Sequence, residues 1–482
     1  MGTAAARPRT RPVSSALLAR PGVLALTALC TLYVALAALP AAPGSNLVLA
    51  TAGGSPGWLL GPLRFAGVSG ADGRLAGPLF YAGLWVALLL YIAVLVRHRD
   101  LPARSVLWVI AGLAGADGRL AGPLFYAGLW VALLLYVAVL VRHRDLPARS
   151  VLWVIGGLHV LFLLAPPLLS QDVFSYIAYA RMGVEHSLNP YTHSPLDIPN
   201  DPVFGFAGSK DAVSVYGPVF TLLTYPLAPL GVAAAFWVLK VVAAACSFGI
   251  VVLVWQIARR LGRDPVLPAL IVGLNPLTLI HVVGGAHNEA LVMLIVVAGL
   301  VAVQAWPSAA SAGVKASGVL VAPFLIAGSR EQWRRALLLA LAALAAVAVL
   351  GLAVFGTHAL DALGFLNSNQ ERTSRWSFPY KTAQLLGAVL PGDRLDYRTA
   401  VRVGYGVAFG VVALWLLVRT WRGMNPIRAA GWATLALLVA SAWLVPWYAL
   451  WLLPLVALTL DRKLTAATVA LCAWMLVIAV PL

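Results

Sequence analysis

An acidic residue, Asp172, follows directly on an apolar run in LLAPPLLSQDVFSYIAYARMG (Leu163–Gly183). A carboxylate at such a boundary is partly desolvated, which raises its proton affinity and suits it to general-base work. If DVFSYIAYARMG is helical, Asp172, Tyr176 and Tyr179 stand at i, i+4 and i+7, on one face. Aromatic rings beside a carboxylate fit a sugar, because the C–H faces of a pyranose pack on rings while its hydroxyls seek acceptors. The competing reading makes Asp172 a helix cap and places the tyrosines in an interfacial aromatic belt. Residue types alone leave the two open.

A second group lies in GGAHNEA, where Gly284 and Gly285 end one helix and His287, Asn288 and Glu289 begin the next. An acidic residue at a helix N-terminus is favourable whatever the function, so Glu289 has a capping explanation. His287 beside it is either structural or a donor to a phosphate oxygen or a sugar hydroxyl. Lys315 stands in SAGVKASGVLVAP, which is otherwise uncharged, and an ammonium is costly there unless paired or hydrated. A lipid phosphate would satisfy it; so would snorkelling to an interface. Arg372, Arg375 and Lys381, in NQERTSRWSFPYK, offer further cations or a plain solvated face. Tyr216, in SVYGPVF, adds an aromatic ring. Lys240 and His281 lie inside apolar runs and could face substrate, though neither is counted among the site residues, while Asn189, Pro190 and Tyr191 shape a loop.

These side chains need a scaffold, and composition says which kind. Of 482 residues, 61% are hydrophobic and 11% charged, with a mean hydropathy of +0.89. Soluble domains are roughly half apolar and about a quarter charged. The apolar residues come in runs of about 17–25, enough to cross a hydrocarbon core of roughly 30 Å as helices. The chain therefore reads as an all-α polytopic membrane protein of about twelve spans plus re-entrant or short segments. Its net charge of +17 sits in short clusters between apolar runs, the pattern of cytoplasmic retention rather than of nucleic-acid binding. Cys30, Cys246 and Cys472 have neither disulfide nor metal-like spacing.

With the basic N-terminus (1–21) in the cytoplasm, an uncleaved first span over about 22–41 goes outward, and RHRD (Arg97–Asp100) marks the return. The segment Gly70–Leu113 then recurs as Gly115–Leu158, differing only at Ile92/Val137 and Ala111/Gly156. Units of a solenoid drift and number three or more, so this is a tandem duplication or a sequencing error. Both RHRD clusters prefer the cytoplasm, which forces a strained short crossing or a re-entrant hairpin at Ser105–Ala116. After this N-terminal unit (22–158), residues 159–482 form the membrane region that holds the candidate residues. A further span over 151–170 delivers Asp172 outside, 266–284 rises as one span, and two sizeable loops, 171–216 and 357–400, fall on the external side. The first is acidic overall and the second is basic near Arg372–Lys381.

QDVFSY, GVEHSLNPY (Gly183–Tyr191), SVYGPVF (Ser214–Phe220), NPLTLIHVVGGAHNEALV (Asn275–Val292), GVKASGVLVAPFL (Gly313–Leu325) and VPWYALW (Val445–Trp451) occur in that order. As an ordered set, over about Leu124–Leu460, they closely resemble the actinobacterial polyprenol-phosphomannose-dependent α-(1→6)-mannosyltransferases, a branch of the GT-C membrane glycosyltransferases. The resemblance implies a GT-C-type bundle whose catalytic acid lies in the first large external loop, at Asp172. It would deprotonate the acceptor mannose 6-hydroxyl as that oxygen attacks the donor anomeric carbon and displaces polyprenyl phosphate, an inverting step giving the α product. It further implies substrate contacts from Tyr176, Tyr179, Tyr216, His287, Asn288, Glu289, Lys315, Arg372 and Arg375. The donor is a substrate, polyprenyl-phosphate mannose, so no cofactor or metal is expected. The expected partners are that donor, a mannan or glycolipid acceptor such as lipomannan, and membrane lipids, but no nucleic acid. The expected location is the plasma membrane, with the site on the external face. Two alternatives stay open: a GT-C transferase of another sugar or linkage (α-(1→2)-mannose, arabinose, glucose), and a lipid or sugar flippase or transporter.

Overall fold

The computed structural model describes residues 20–41, 56–60, 118–360, 374–389 and 394–479. Their α-helices, in chain order, are α1 (Pro21–Ala38), α2 (Gly118–Val141), α3 (Ala148–Leu164), α4 (Asp172–Glu185), α5 (Pro218–Thr224), α6 (Gly231–Arg260) and α7 (Val266–Gly273). After a π-helix (Leu277–Gly284) come α8 (Glu289–Val301), α9 (Trp306–Ala310), α10 (Ala322–Gly328), α11 (Trp333–Phe355) and α12 (Phe378–Val389). The chain closes with α13 (Arg394–Trp421), α14 (Pro426–Ala440), α15 (Ala449–Thr459) and α16 (Arg462–Ala479). Among the described residues there is no strand. In lipid a backbone must satisfy its own polar groups, and helices do so locally.

Five of these helical segments are long and apolar enough to cross a membrane, six if a bent pair is taken as one crossing. That is fewer than the sequence reading expects, and the reason is local. Several expected spans are helices of only 10–17 residues, among them Ala148–Leu164, Glu289–Val301 and Pro426–Ala440. The expected crossing at Ser105–Ala116 and the first copy of the duplication lie outside the described residues.

The expected span 266–284 is a bent pair, α7 and the π-helix meeting at 53°, which together pass as one crossing. Asn275-Pro276 causes the bend, since proline supplies no N–H to the ladder. The freed groups find partners elsewhere. Asn275 Oδ1 accepts from Leu277 N at 2.9 Å, Tyr33 from α1 donates to Leu274 O at 2.7 Å, and Tyr136 from α2 donates to Ile271 O at 2.8 Å. Lys240, fully buried on α6, performs a similar service. Its ammonium donates to Phe162 O at 3.0 Å and to Ala165 O, the open carbonyls at the end of α3, where the helix dipole favours a cation. It is thus a structural lysine rather than one facing substrate.

The cations collect at one end of the bundle. Arg142, Arg144, Arg259, Arg260, Arg334, Arg335, Arg419, Arg462 and Lys463 all stand where α2, α6 and α13 finish or α11 and α16 start. At that end Arg263 donates to Leu458 O at 2.8 Å and Arg428 pairs with Asp461 at 2.5 Å. The opposite end carries α4, the turn after the π-helix and the Pro446–Tyr448 turn. There the chain 186–216 folds over α4, held by Asp201, which accepts from Arg181 Nε at 2.9 Å, His186 Nε2 at 2.8 Å and Val203 N at 2.9 Å. Tyr191 donates to Tyr216 O at 2.8 Å and Asn189 to Phe355 O at 2.9 Å, so these loop residues shape the fold, as their types suggest. A second core of Phe174, Tyr176, Met182, Phe220 and Phe236 forms beneath this cover, separate from the main interhelical core.

Candidate active site

Asp172 is the first residue of α4 and is brought up by a turn in which Leu169 takes φ +59°. Ala286, in the turn after the π-helix, takes φ +55°. Residues with a Cβ rarely adopt this left-handed conformation, and each such residue costs about 1–3 kcal/mol, a strain that clusters at functional sites. The two turns are tied together by Leu168 N, which donates to Gly284 O at 3.3 Å. They thereby set Asp172 against His287, Asn288 and Glu289.

Asp172 stands in the first turn of α4, after the N-cap Gln171. Among the described residues its carboxylate accepts no hydrogen bond; His287 Nδ1 is its nearest ionisable neighbour, 3.6 Å from Oδ2. The same nitrogen lies 3.7 Å from Glu289 Oε2, so one imidazole stands between two carboxylates. Its ring stacks on Trp447 at 3.9 Å between centroids and 20° between planes. Glu289, wholly buried, is paired by hydrogen bond to Lys315, and that ammonium lies over the rings of Tyr448 at 5.1 Å and Tyr216 at 5.9 Å. Glu289 stands in the first turn of α8, where the helix dipole favours it, and its carboxylate also serves Lys315, which is paired rather than snorkelling.

Tyr176 closes the inner wall. It accepts from Asn288 N at 3.5 Å and meets Tyr216 edge-on at 4.8 Å. Tyr179 shares its face, but its hydroxyl is committed to Ala212 O at 2.9 Å and Val213 O at 3.2 Å, which makes it a strut for the loop. Arg375 sits in a turn pinned to the same end of the bundle, where Ser374 N donates to Ala442 O at 3.0 Å. Arg372 lies outside the described residues. Trp447 and Tyr448, absent from the residues expected to touch substrate, prove to be walls of the group. The signal for them was the helix-breaking proline in VPWYALW, which turns two aromatics inward together.

Several buried polar atoms here have no hydrogen-bond partner among the described residues: both ring nitrogens of His287, both side-chain atoms of Asn288, Glu289 Oε2 and Trp451 Nε1. Buried polar groups are nearly always bonded, and exceptions gather where a ligand or water completes them. Among the described residues no three His, Cys, Asp or Glu side chains converge to hold a metal ion.

The electrostatics follow from this packing. Burial pushes the Asp172 carboxyl up to about 6; the Lys315 ammonium pulls it down and Glu289 pushes it up. Its side chain keeps an open edge, 37% exposed. Burial, then Lys315, hold His287 well below the ordinary imidazole range, so it is neutral at neutral pH. Burial opposes the charge on Lys315, but Glu289 outweighs it and holds the ammonium above the ordinary lysine range. The arrangement offers a reactive base with a fixed cation at the far side of a neutral imidazole.

Gly217 sets the position of Lys315. Its N–H donates to Val314 O at 2.9 Å, and a Cβ there would run into the backbone of Ala312 and Gly313, which no rotamer change can relieve. Gly217→Ala is expected to cost about 1–3 kcal/mol and to lower whatever turnover depends on Lys315, read by thermal unfolding and by activity in the same membranes. Unchanged values in both would remove Gly217 as the spacer.

A family profile described as "alpha-(1->6)-mannopyranosyltransferase, N-terminal domain" matches residues 80–360, more than half of the chain, and a C-terminal domain profile of the same group matches 387–482. The chain belongs to the α-(1→6)-mannopyranosyltransferase family. It is a glycosyltransferase by family, and Asp172, the 284–289 turn and Lys315 all lie within the first match. Over 357 residues it is 28% identical to α-(1→6)-mannopyranosyltransferase A of Mycobacterium tuberculosis, covering 66% of this chain and 67% of the relative. A probable α-(1→6)-mannopyranosyltransferase of Mycolicibacterium smegmatis is 28% identical over 373 residues, covering 64% and 65%. For α-(1→6)-mannopyranosyltransferase A of Corynebacterium glutamicum the identity is 24% over 332 residues, covering 59% and 66%. The chain thus spans about two thirds of the length of these relatives. No solved structure matches it.

Proposed function

We propose that this membrane protein transfers mannose from polyprenyl-phosphate mannose to the 6-hydroxyl of an α-(1→6)-mannan acceptor, with inversion, and that Asp172 is the general base. The observation that carries the reading is the Asp172 carboxylate itself: raised in pKa, open on one edge and free of hydrogen bonds among the described residues. In the step, the acceptor O–H proton passes to Asp172 while the oxygen forms its bond to the anomeric carbon. The bond from that carbon to the phosphate oxygen breaks, and polyprenyl phosphate leaves with the electron pair. Lys315 has three N–H donors and spends one on Glu289, which leaves donors for the departing phosphate. Tyr216, Trp447 and Tyr448 give rings for sugar faces, and the unpartnered Asn288 amide gives donor and acceptor for hydroxyls.

The distribution of charge supports an external site in the plasma membrane. Basic residues are retained on the cytoplasmic side, and most of those at helix ends stand at the end of the bundle away from Asp172. The short helices of 10–17 residues, taken as broken crossings, support a GT-C-type bundle approaching the expected number of spans, with 159–482 as the catalytic region. Membranes containing the chain, given radiolabelled polyprenyl-phosphate mannose and short α-mannosides, are expected to label O6 of the acceptor. Label at another hydroxyl would overturn the linkage. Transfer from a nucleotide-linked mannose without the lipid donor would overturn the donor.

A further inference from the structure

A sizeable cavity among the described residues lies away from Asp172. A groove of about 1070 Å³ lies between the end of α13 and the start of α14, walled by Trp415, Leu416, Trp432 and Leu435 and rimmed by Arg419 and Arg422. It exceeds the roughly 300–1,000 Å³ of ordinary small-molecule pockets. α14 joins this groove to the candidate active site at opposite ends: it starts at Pro426 beside the groove and finishes at Ala440, just before the Trp447 turn. Its 15 residues separate the two by about 22 Å.

Three features of the groove select its occupant. Its third cation, Arg428, is already neutralised by Asp461 at 2.5 Å, whereas Arg419 and Arg422 have no acidic partner among the described residues; Arg419 only overlies Trp415 at 5.7 Å. The Arg330 guanidinium abuts Gly423 beside them, adding to an uncompensated positive rim. The groove walls also run on into the outward face of α13, where Val407, Val411, Leu414 and Val418 are exposed. On a membrane protein such a face meets acyl chains. Finally, the groove lies at the cationic end of the bundle, at the level where an anionic leaflet presents its phosphates, and basic pockets between helices there bind anionic headgroups.

We propose that this groove binds an anionic phospholipid, its phosphate held between Arg419 and Arg422 and an acyl chain lying along Trp415, Leu435 and the exposed face of α13. A guanidinium pair suits a phosphate oxygen pair better than two lysines would, because each fork donates in a plane. A free phosphate shares the headgroup chemistry but has no use for the apolar wall. The site is independent of the transfer chemistry.

The test uses the full chain, purified in detergent and measured by native mass spectrometry with dioleoylphosphatidylglycerol, dioleoylphosphatidylcholine or inorganic phosphate added. The expected result is retention of phosphatidylglycerol in clear preference to phosphatidylcholine. Arg419→Gln with Arg422→Gln should weaken that retention roughly thirtyfold, the combined effect of two cations near an anionic headgroup. Leu435→Trp, which reshapes the apolar wall and leaves both charges, should also weaken it. Equal retention of the two lipids, or unchanged retention in the double arginine variant, would overturn the proposal. So would phosphatidylglycerol retention that inorganic phosphate displaces while Leu435→Trp leaves it intact. Thermal unfolding in zwitterionic detergent checks that each variant is folded.

Discussion

Asp172→Asn is expected to lower mannosyl transfer roughly a thousandfold, within the 10²–10⁴ span of general-base contributions, at unchanged protein abundance. The exchange is nearly isosteric. Among the described residues the carboxylate accepts no hydrogen bond that an amide would forfeit, so folding is not at stake. What is lost is the ability to take a proton. The same residue fixes the pH dependence. A base works in its ionised form, and burial pushes this one up to about 6. Transfer should therefore be low under acid conditions, rise as pH passes through about 6, and level off above. In Asp172→Asn the residual rate should lack that acid limb. Wild-type-like transfer by the variant, or a limb that persists in it, would remove Asp172 as the base.

The second large effect concerns Glu289 and Lys315. Glu289 is wholly buried and the Lys315 side chain is 17% exposed, so removing one partner strands the other charge in the protein. Breaking a buried pair in this way typically costs about 3–5 kcal/mol, whereas replacing both partners is far milder. Lys315→Met and Glu289→Gln should each lower the unfolding midpoint in detergent substantially, and the double variant should recover most of the loss. The double variant remains poor at transfer, because the leaving phosphate has lost its cation. A double variant no more stable than the singles would show that the pair is not a closed electrostatic unit. Recovery of transfer along with stability would show that Lys315 serves the fold alone.

Much of this site could be read from one chain. Asp172 was visible because an acidic residue after an apolar run has few reasons to be there, and Lys315 because its neighbours carry no charge. Their relation was not visible. The Glu289–Lys315 pair joins residues 26 positions apart, and the stacking of His287 on Trp447 joins two turns separated by several helices; only tertiary packing selects such partners. Local rules also stopped short where two explanations shared one residue. Helix-start carboxylates left capping and chemistry both open, and the structure places Asp172 and Glu289 in the first turn, each after an N-cap of another type. Helical spacing placed Tyr179 on the face of Asp172, but its hydroxyl is held by loop carbonyls that no periodicity foretells. Hydropathy likewise saw 266–284 as one span but not its 53° bend, where carbonyls on either side of the break are answered by Tyr33 and Tyr136 from distant helices.

Tyr136 belongs to a segment written twice in the chain, and its counterpart in the first copy is Tyr91, within the same GLWVALLLY sequence. Two chemically equivalent candidates thus exist for the one berth between α1 and α7, and side-chain complementarity cannot tell them apart. Tether length can. The berth is filled by the copy joined directly to α3 through residues 142–147; the other would dock only by looping out a further full repeat, an entropic handicap of roughly 2 kcal/mol. In this protein connectivity, rather than side-chain complementarity, decides which of the two tyrosines reaches the berth.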